Sequence, residues 1–232
     1  MNFEELKNVC QKYNIVLTDD MISKYDRYAD LLKEWNEKIN LTAITEKEEV
    51  IEKHFYDSLL LLKYIKECKT LADIGTGAGF PGMVIAIARS DIQVTLIEPT
   101  GKRCTFLNEV KKELELTNVE IINERAEDCV SIYREIFDVV TARAVANLQI
   151  LAELCIPFAK VNGMFISMKG SQGEEEALSA KHAFSELGAS APIIEKDDLL
   201  DGAKRIFVIG KKIKRTPMKY PRAYAKIKKK PL

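Results

Sequence analysis

The sequence predicts an α/β protein whose doubly wound, mainly parallel sheet follows an N-terminal helical segment. Five apolar strand candidates, each followed by room for one helix and its turns, begin near Leu71, Val94, Val119, Phe137 and Met164. Repeats of this kind imply parallel strands with helices on both faces. Two more strand candidates, at residues 190–196 and 205–211, have only a short polar segment between them. That segment cannot hold a covering helix, so we expect an antiparallel pair and a sheet of seven strands.

Residues 1–66 are expected to form a helical extension. Thr18 can cap a helix whose first turn carries two acids, and apolar side chains then recur at three- and four-residue steps. This apolar face consists of Ile22, Tyr25, Ala29, Leu32, Trp35 and Ile39. A shorter helix near residues 3–13 and a pair of helices near 46–66 complete the extension. We therefore expect three parts, at residues 1–66, 67–212 and 213–232, within one compact unit.

A glycine-rich loop at residues 73–82, between a strand and a helix, is the most informative segment. Gly75, Gly77 and Gly79 stand at alternate positions, so the backbone can approach a nucleotide closely. Asp73 precedes them, and its carboxylate would repel a diphosphate. The same carboxylate would attract the sulfonium and ammonium groups of S-adenosylmethionine. This difference in charge favours a methyl donor as the ligand.

The loop leaves a second class of ligand open. Residues 77–82 also match the dinucleotide pattern G-x-G-x-x-G, which is a weak signal by itself. Glu98, at the end of the next strand, can accept hydrogen bonds from both ribose hydroxyls in either class of enzyme. A nicotinamide-dependent oxidoreductase is therefore an alternative, and so is a purely structural turn.

The basic residues are concentrated at the C-terminal end. The chain has 35 basic and 35 acidic residues, but residues 211–232 hold ten Lys or Arg and no acid. The rest of the chain therefore carries a net charge of −10. Such asymmetry is typical of nucleic-acid binding, and Tyr220 and Tyr224 can stack on bases. A solvated tail that aids solubility is the other interpretation.

The rest of the composition limits the expected cellular location of the protein and the cofactors that it could bind. No apolar run approaches the roughly 18 residues that span a bilayer, and no signal sequence is recognisable, so we expect a cytoplasmic protein without a membrane partner. Five scattered cysteines without a C-x-x-C pair indicate reduced thiols, mostly buried. No spacing of histidines and carboxylates suggests a metal. We predict no metal and no obligate protein partner.

Several short motifs, each weak alone, occur together in an order found in one family. They are WNEKINLTAI at 35–44, HFYDSL at 54–59, the glycine loop, Glu98 with residues 102–107, then 125–127, 142–144, 169–170 and the closing KYPR and KPL. With them, nearly the whole chain resembles the RsmG/GidB family of bacterial methyltransferases, which modify N7 of a guanine in 16S ribosomal RNA. The resemblance implies a class I S-adenosylmethionine-dependent methyltransferase (Rossmann-like) sheet with strand order 3-2-1-4-5-7-6. Residues 223–228 depart from the family, which usually has a glycine and another proline there, so the path of RNA along the tail stays open.

The resemblance also implies roles for individual residues. The implied contacts to the methyl donor are Gly75, Phe80, Glu98, Pro99, Thr100, Ala126, Glu127 and Arg143, and they join Asp73, Gly77 and Gly79, which the loop pattern itself indicates. Arg143 and Lys169 are the candidates for positioning the acceptor, although a strand-end ion pair is the alternative for Arg143. The expected RNA contacts of the tail are Lys219, Arg222, Lys228, Lys229 and Lys230. Asn40, His54 and Asp57 lie in the motifs without an assigned role.

The implied acceptor requires little acid–base chemistry. N7 of guanine presents a lone pair and carries no proton, so no base has to activate it. We therefore predict no indispensable acid or base, and 16S rRNA or the small ribosomal subunit as the partner. A non-catalytic RNA-binding protein remains a second alternative, which a turnover assay would separate from an enzyme. Within methyltransferases, a protein or a small molecule is another possible acceptor, and removal of residues 211–232 would separate these from RNA.

Overall fold

The computed structural model describes residues 1–143, 146–199, 202 and 204–232. Packing within the chain separates two compact units. The first unit contains residues 1–69 and 76–123, and the second contains residues 70–75 and 124–232. These divisions differ from the expected parts at 1–66, 67–212 and 213–232, which stay a prediction.

Within the described residues, seven strands form one sheet. They are β1 (Thr70–Ile74), β2 (Gln93–Ile97), β3 (Val119–Ile122), β4 (Phe137–Arg143), β5 (Ala159–Lys169), β6 (Ile193–Asp198) and β7 (Lys204–Lys211). Their order is β3-β2-β1-β4-β5-β7-β6. The pairs β2–β3, β1–β4 and β4–β5 are parallel, whereas β7 is antiparallel to both β5 and β6. The predicted seven-stranded α/β fold and its antiparallel end are confirmed.

Two strands have boundaries that differ from the predicted ones. β5 begins at Ala159, upstream of Met164, because Ala159 still pairs with Phe137 across a register shift. β6 begins at Ile193 rather than at 190, where Ser190 instead donates its backbone N–H to Lys211 O at 2.8 Å. Residues 200, 201 and 203 of the polar segment lie outside the described residues.

The first unit begins with α1 (Phe3–Gln11) and α2 (Asp19–Asn36). Thr18 caps α2 as predicted, because its Oγ1 accepts a hydrogen bond from Met21 N at 3.3 Å. Three residues of the predicted apolar face are buried, and so are Tyr28 and Leu31, which that face did not include. Ile39 lies beyond the end of the helix.

The expected pair of helices near 46–66 is a single helical run with changing hydrogen-bond spacing. It consists of α3 (Lys47–Val50), a π-helix (Ile51–Tyr56), α4 (Asp57–Leu59) and a 3₁₀-helix (Leu60–Lys63). The π-helical turn brings two consecutive rings, His54 and Phe55, against Phe80, with ring centroids 4.4 Å and 6.3 Å away. Helices α5 (Gly82–Ala88) and α6 (Gly101–Glu113), with β2 and β3, complete the first unit.

The second unit contains the remaining strands and helices. The helices are α7 (Ala126–Tyr133), α8 (Leu148–Cys155), a 3₁₀-helix (Ile156–Phe158), α9 (Gly173–Ser179), α10 (Lys181–Glu186) and α11 (Tyr224–Lys229). Phe165, Phe184 and Phe207 are buried in its core. Throughout the described part of the chain, no helix is long and apolar enough to cross a membrane.

Candidate active site

Residues 76–82 of the glycine loop, which belong to the first unit, adopt a conformation that excludes side chains at one position and leaves space at another. Gly77 and Gly79 have φ angles of +63° and +100°, in the left-handed region that favours glycine. A Cβ on Gly79 would lie 2.9 Å from Met83 Cβ and 3.1 Å from Leu107 Cδ2. A Cβ on Gly77 would meet no atom within 4 Å. Packing therefore requires glycine at 79, whereas the loop is open at 77, where a ligand can approach the backbone.

The N-terminal helices hold this loop in place. The Tyr28 hydroxyl, fully buried on α2, donates a hydrogen bond to the carbonyl of Ala78. The Tyr28 ring also stacks on Phe80 at 5.6 Å, and His54 stacks on Phe80 at 4.4 Å. His54 Nε2 is in turn 2.9 Å from Thr42 Oγ1. His54 is buried and packs on Phe80, which favours a packing role for this residue.

Glu98, at the end of β2, binds the loop through its carboxylate. This side chain is 2% exposed, and its Oε2 accepts the N–H of Gly77 at 3.0 Å. Its Oε1 accepts the N–H of Thr100 at 2.9 Å, and Arg103 Nη1 lies 3.8 Å from the same oxygen. Each carboxylate oxygen has a second lone pair, so Glu98 can still accept ribose hydroxyls. Pro99 and Thr100 beside it are exposed.

In the second unit, the predicted donor contacts come at the ends of β1 and β4 and the start of α7. Asp73 is fully buried in β1, and Gly75 follows with a φ of +67°. Burial raises the pKa of the Cys155 thiol well above its usual value, and the negative charge of Asp73 raises it further. Ala126, buried, and Glu127, half-buried, form the first turn of α7. Arg143 is half-buried at the end of β4.

Lys169, at the end of β5, is held by contacts within the second unit. Its ammonium lies 2.9 Å from Glu176 Oε2 on α9 and donates to the carbonyl of Ala146. Glu176 also accepts the N–H of Leu148 at 2.7 Å. A cavity of about 410 Å³ opens here, lined by Ala146, Met168, Lys169, Gly170, Ser171, Gln172, Glu176 and Arg205. Sequence reasoning missed Glu176, because nothing in the sequence distinguishes it from the adjacent acids of α9.

The basic tail packs on the second unit instead of extending into solvent. Arg222 donates from Nε and Nη2 to the two carboxylate oxygens of Glu153, at 2.8 Å and 2.5 Å, and Glu153 is fully buried. Lys219 is paired with Glu186 at 3.1 Å. The remaining predicted RNA contacts, Lys228, Lys229 and Lys230, are exposed. The structure thus gives Arg222 an internal partner that the charge pattern did not predict.

The other residues of the motifs are divided between core and surface. Asp57 is fully buried and Asn40 is exposed. All five cysteines are buried, and none of them forms a disulfide. Among the described residues, no group of three or more His, Cys, Asp or Glu side chains is arranged to hold a metal ion.

Close relatives exist over the full length of the chain. The family model of rRNA small subunit methyltransferase G (GidB) matches residues 21–197. The chain is 47% identical over 236 residues to ribosomal RNA small subunit methyltransferase G of Clostridium perfringens (strain SM101), with 99% of this chain and 98% of that protein covered. It is 45% identical over 238 residues to the protein of the same name from Clostridium botulinum (strain Eklund 17B), with 100% of both covered.

Solved structures with the same fold are more distant in sequence. The 16S rRNA (adenine-N1)-methyltransferase of Catenulisporales acidiphilia has a TM-score of 0.54 at 13% identity, over 63% of this chain and 89% of that chain. TYW2 of M. jannaschii, solved in complex with AdoMet, has a TM-score of 0.52 at 16% identity, over 85% and 77%. At such identities the likeness shows the fold alone. The family model and the full-length relatives show more: this chain belongs to the rRNA small subunit methyltransferase G family.

Proposed function

We propose that the protein transfers a methyl group from S-adenosylmethionine to N7 of a guanine in 16S ribosomal RNA. The observation that carries the donor assignment is the hydrogen bond from Gly77 N–H to Glu98. A dinucleotide site needs such loop amides for its pyrophosphate. Here the amide is bound to a carboxylate, which would repel a pyrophosphate. The names of the relatives support rRNA as the acceptor class.

The first unit offers features that suit a neutral or cationic nucleoside ligand. The open space at Gly77 admits a ligand against the backbone, and the second lone pairs of Glu98 are suited to ribose hydroxyls. Phe80, Pro99 and Thr100 are further donor contacts under this proposal. In the second unit, the proposed contacts are Asp73, Gly75, Ala126, Glu127 and Arg143. When bound, S-adenosylmethionine supplies a methyl group already activated by its sulfonium.

The chain itself has to align the acceptor. Because guanine N7 presents a free lone pair, the reaction needs no base, and positioning can contribute up to about 7–11 kcal/mol. We assign that positioning to Arg143. Lys169 contributes indirectly, since its ammonium contacts both Glu176 on α9 and the carbonyl of Ala146 and so holds Ala146 near α9. Lys228, Lys229 and Lys230 are exposed and can bind RNA phosphates.

The test is transfer of radiolabelled methyl from S-adenosylmethionine to purified 16S rRNA and to small ribosomal subunits, followed by nucleoside analysis. We expect 7-methylguanosine as the single labelled product. Arg143→Ala should lower the rate about 100-fold, as expected for a misplaced reactant. Arg143→Lys, which keeps the charge, should retain more of the rate. Calorimetric titration with S-adenosylmethionine and the unfolding midpoint of each variant show whether the donor site and the fold are intact.

Each alternative gives a different result. Binding of NADH in place of S-adenosylmethionine would contradict the donor assignment and favour an oxidoreductase. RNA binding without any labelled product from either substrate would favour a non-catalytic RNA-binding protein. Labelling of another base or position would retain the donor and refute the acceptor atom.

A further inference from the structure

A cavity of about 400 Å³ in the first unit shares only Thr100 with the proposed donor site. It is lined by Lys38, Ile39, Asn40, Thr100, Lys102 and Arg103. One wall is the segment after α2, and the other is the first turn of α6. A cavity of this size can accommodate part of a nucleotide chain.

Both walls of the cavity are fixed by packing and hydrogen bonds. Asn36 Oδ1 accepts hydrogen bonds from the N–H groups of Leu41 and Thr42 at 2.9 Å and 3.0 Å. These two bonds fix the loop between them, which carries Lys38 and Asn40. The Trp35 ring packs on Phe106 of α6 at 5.8 Å. The cationic side chains are therefore presented on a preformed backbone.

The cavity carries an excess of positive charge. Arg103 lies 3.8 Å from the carboxylate of Glu98, which partly balances it. Lys38 Nζ lies over the Trp35 ring, 5.6 Å from its centroid, and this neutral ring leaves the net positive charge of the site unchanged. Within the described residues, neither Lys38 nor Lys102 has a carboxylate at ion-pair distance. Two cations thus face a cavity that also offers the Asn40 amide and the Thr100 hydroxyl as hydrogen-bonding groups.

We propose that this cavity binds a phosphodiester of the acceptor RNA, with Lys38 and Lys102 as the phosphate contacts. This inference rests on the proposed function. A sulfonium donor would be repelled by these lysines, whereas a phosphate would be attracted by them. Lysines act as point charges on phosphate and read no base, so the subsite sets the position of the RNA and not its sequence. Because Thr100 N–H is bound to Glu98, the subsite adjoins the carboxylate assigned to the donor ribose.

The test compares a double variant, Lys38→Gln with Lys102→Gln, with the control Lys112→Gln. Lys112 is an exposed lysine in the last turn of the same helix, α6, and lies outside the cavity. Affinity for radiolabelled 16S rRNA is measured by filter binding over a series of salt concentrations. The slope of log affinity against log salt should fall by about 0.7 in the double variant, since the loss of one phosphate contact on a single strand removes roughly 0.7. The control should keep the wild-type slope, and donor affinity by calorimetry should be unchanged in all three proteins.

The outcomes separate this inference from the proposed function. An unchanged salt slope in a folded double variant, with wild-type protein binding RNA, overturns the subsite alone. A change in affinity for S-adenosylmethionine would also overturn it, because the cavity would then belong to the donor. Failure of the wild-type protein to bind rRNA or small subunits would refute the proposed acceptor and the subsite with it.

Discussion

Two tyrosines on α2 allow a direct test of how the glycine loop is held. Tyr25 and Tyr28 are both fully buried, and each hydroxyl donates to a backbone carbonyl. The Tyr28 hydroxyl bonds Ala78 in the glycine loop, whereas the Tyr25 hydroxyl bonds Val84 in α5 at 2.9 Å. The substitutions Tyr28→Phe and Tyr25→Phe therefore remove the same chemical group from the same helix. They differ in whether the partner belongs to the loop.

The expected magnitudes follow from this difference. Leaving a buried carbonyl without its donor costs about 1–3 kcal/mol, so both variants should lose unfolding free energy within that range. In Tyr28→Phe the lost bond also releases Ala78, which is 5% exposed and lies between Gly77 and Gly79. Donor binding must then reorder the loop. Since about 1.4 kcal/mol corresponds to a factor of ten in affinity, a reordering cost of up to about 3 kcal/mol should weaken the binding of S-adenosylmethionine by up to about 150-fold.

The assays are calorimetric titration with S-adenosylmethionine and urea unfolding of both variants beside the wild-type protein. We expect comparable losses of stability, with weakened donor binding in Tyr28→Phe and little change in Tyr25→Phe. Equal weakening in both variants would mean that donor affinity follows global stability and not the loop contact. Wild-type affinity in a folded Tyr28→Phe protein would show that the loop needs no support from α2.

Three further predictions concern the loop, the tail and a buried thiol. Gly79→Ala should lower the unfolding free energy more than Gly77→Ala, because a Cβ at 79 meets packed side chains and one at 77 meets open space. Gly77→Ala should add only the strain of its positive φ to the folded state, and should also weaken donor binding; urea unfolding and calorimetry separate the two effects. Arg222→Ala should destabilise the protein by about 3 kcal/mol in urea unfolding, since it leaves the buried Glu153 carboxylate unpaired, and adding Glu153→Gln should recover part of that loss. Burial raises the pKa of the Cys10 thiol from 9.0 to about 12. As the pH rises, the unfolded chain therefore loses the thiol proton before the folded protein does. The stabilisation that the buried, protonated thiol contributes is full below pH 9.0 and is lost towards about pH 12. Cys10→Ala should therefore lose less unfolding free energy than the wild-type protein between about pH 8 and about pH 10.5.

Much of the fold could be predicted because its signals are local. The strand candidates near Leu71, Val94 and Val119 lie within a residue or two of the observed starts, and the missing helix before β7 correctly predicted the antiparallel end. Thr18 was recognisable as a cap from its own neighbours. The π-helical turn at 51–56 was not predictable, because its hydrogen-bond spacing depends on packing that no short window of sequence contains.

The site was predicted less completely, because its supports are distant in sequence. Gly77 and Glu98 were chosen from the loop pattern and a strand end, but the hydrogen bond between them spans 21 residues. Tyr28 was missed although it lies three residues from Tyr25, a spacing that could have placed it on the buried side of α2. Arg222 was assigned to RNA from the charge of the tail. Charge alone cannot reveal a buried carboxylate 69 residues away.

The hydrogen bond from Tyr28 to the loop bears on how this enzyme can be shortened or grafted. The strands and the glycine motif give residues 67–212 the outline of a self-sufficient catalytic module, but the first compact unit joins residues 1–69 to 76–123. A fragment beginning at residue 67 would lack the tyrosine that fixes Ala78 and the histidine that stacks on Phe80. In chimeras built by exchanging methyltransferase domains, α2, the π-helical turn and the glycine loop should therefore all come from the same parent protein.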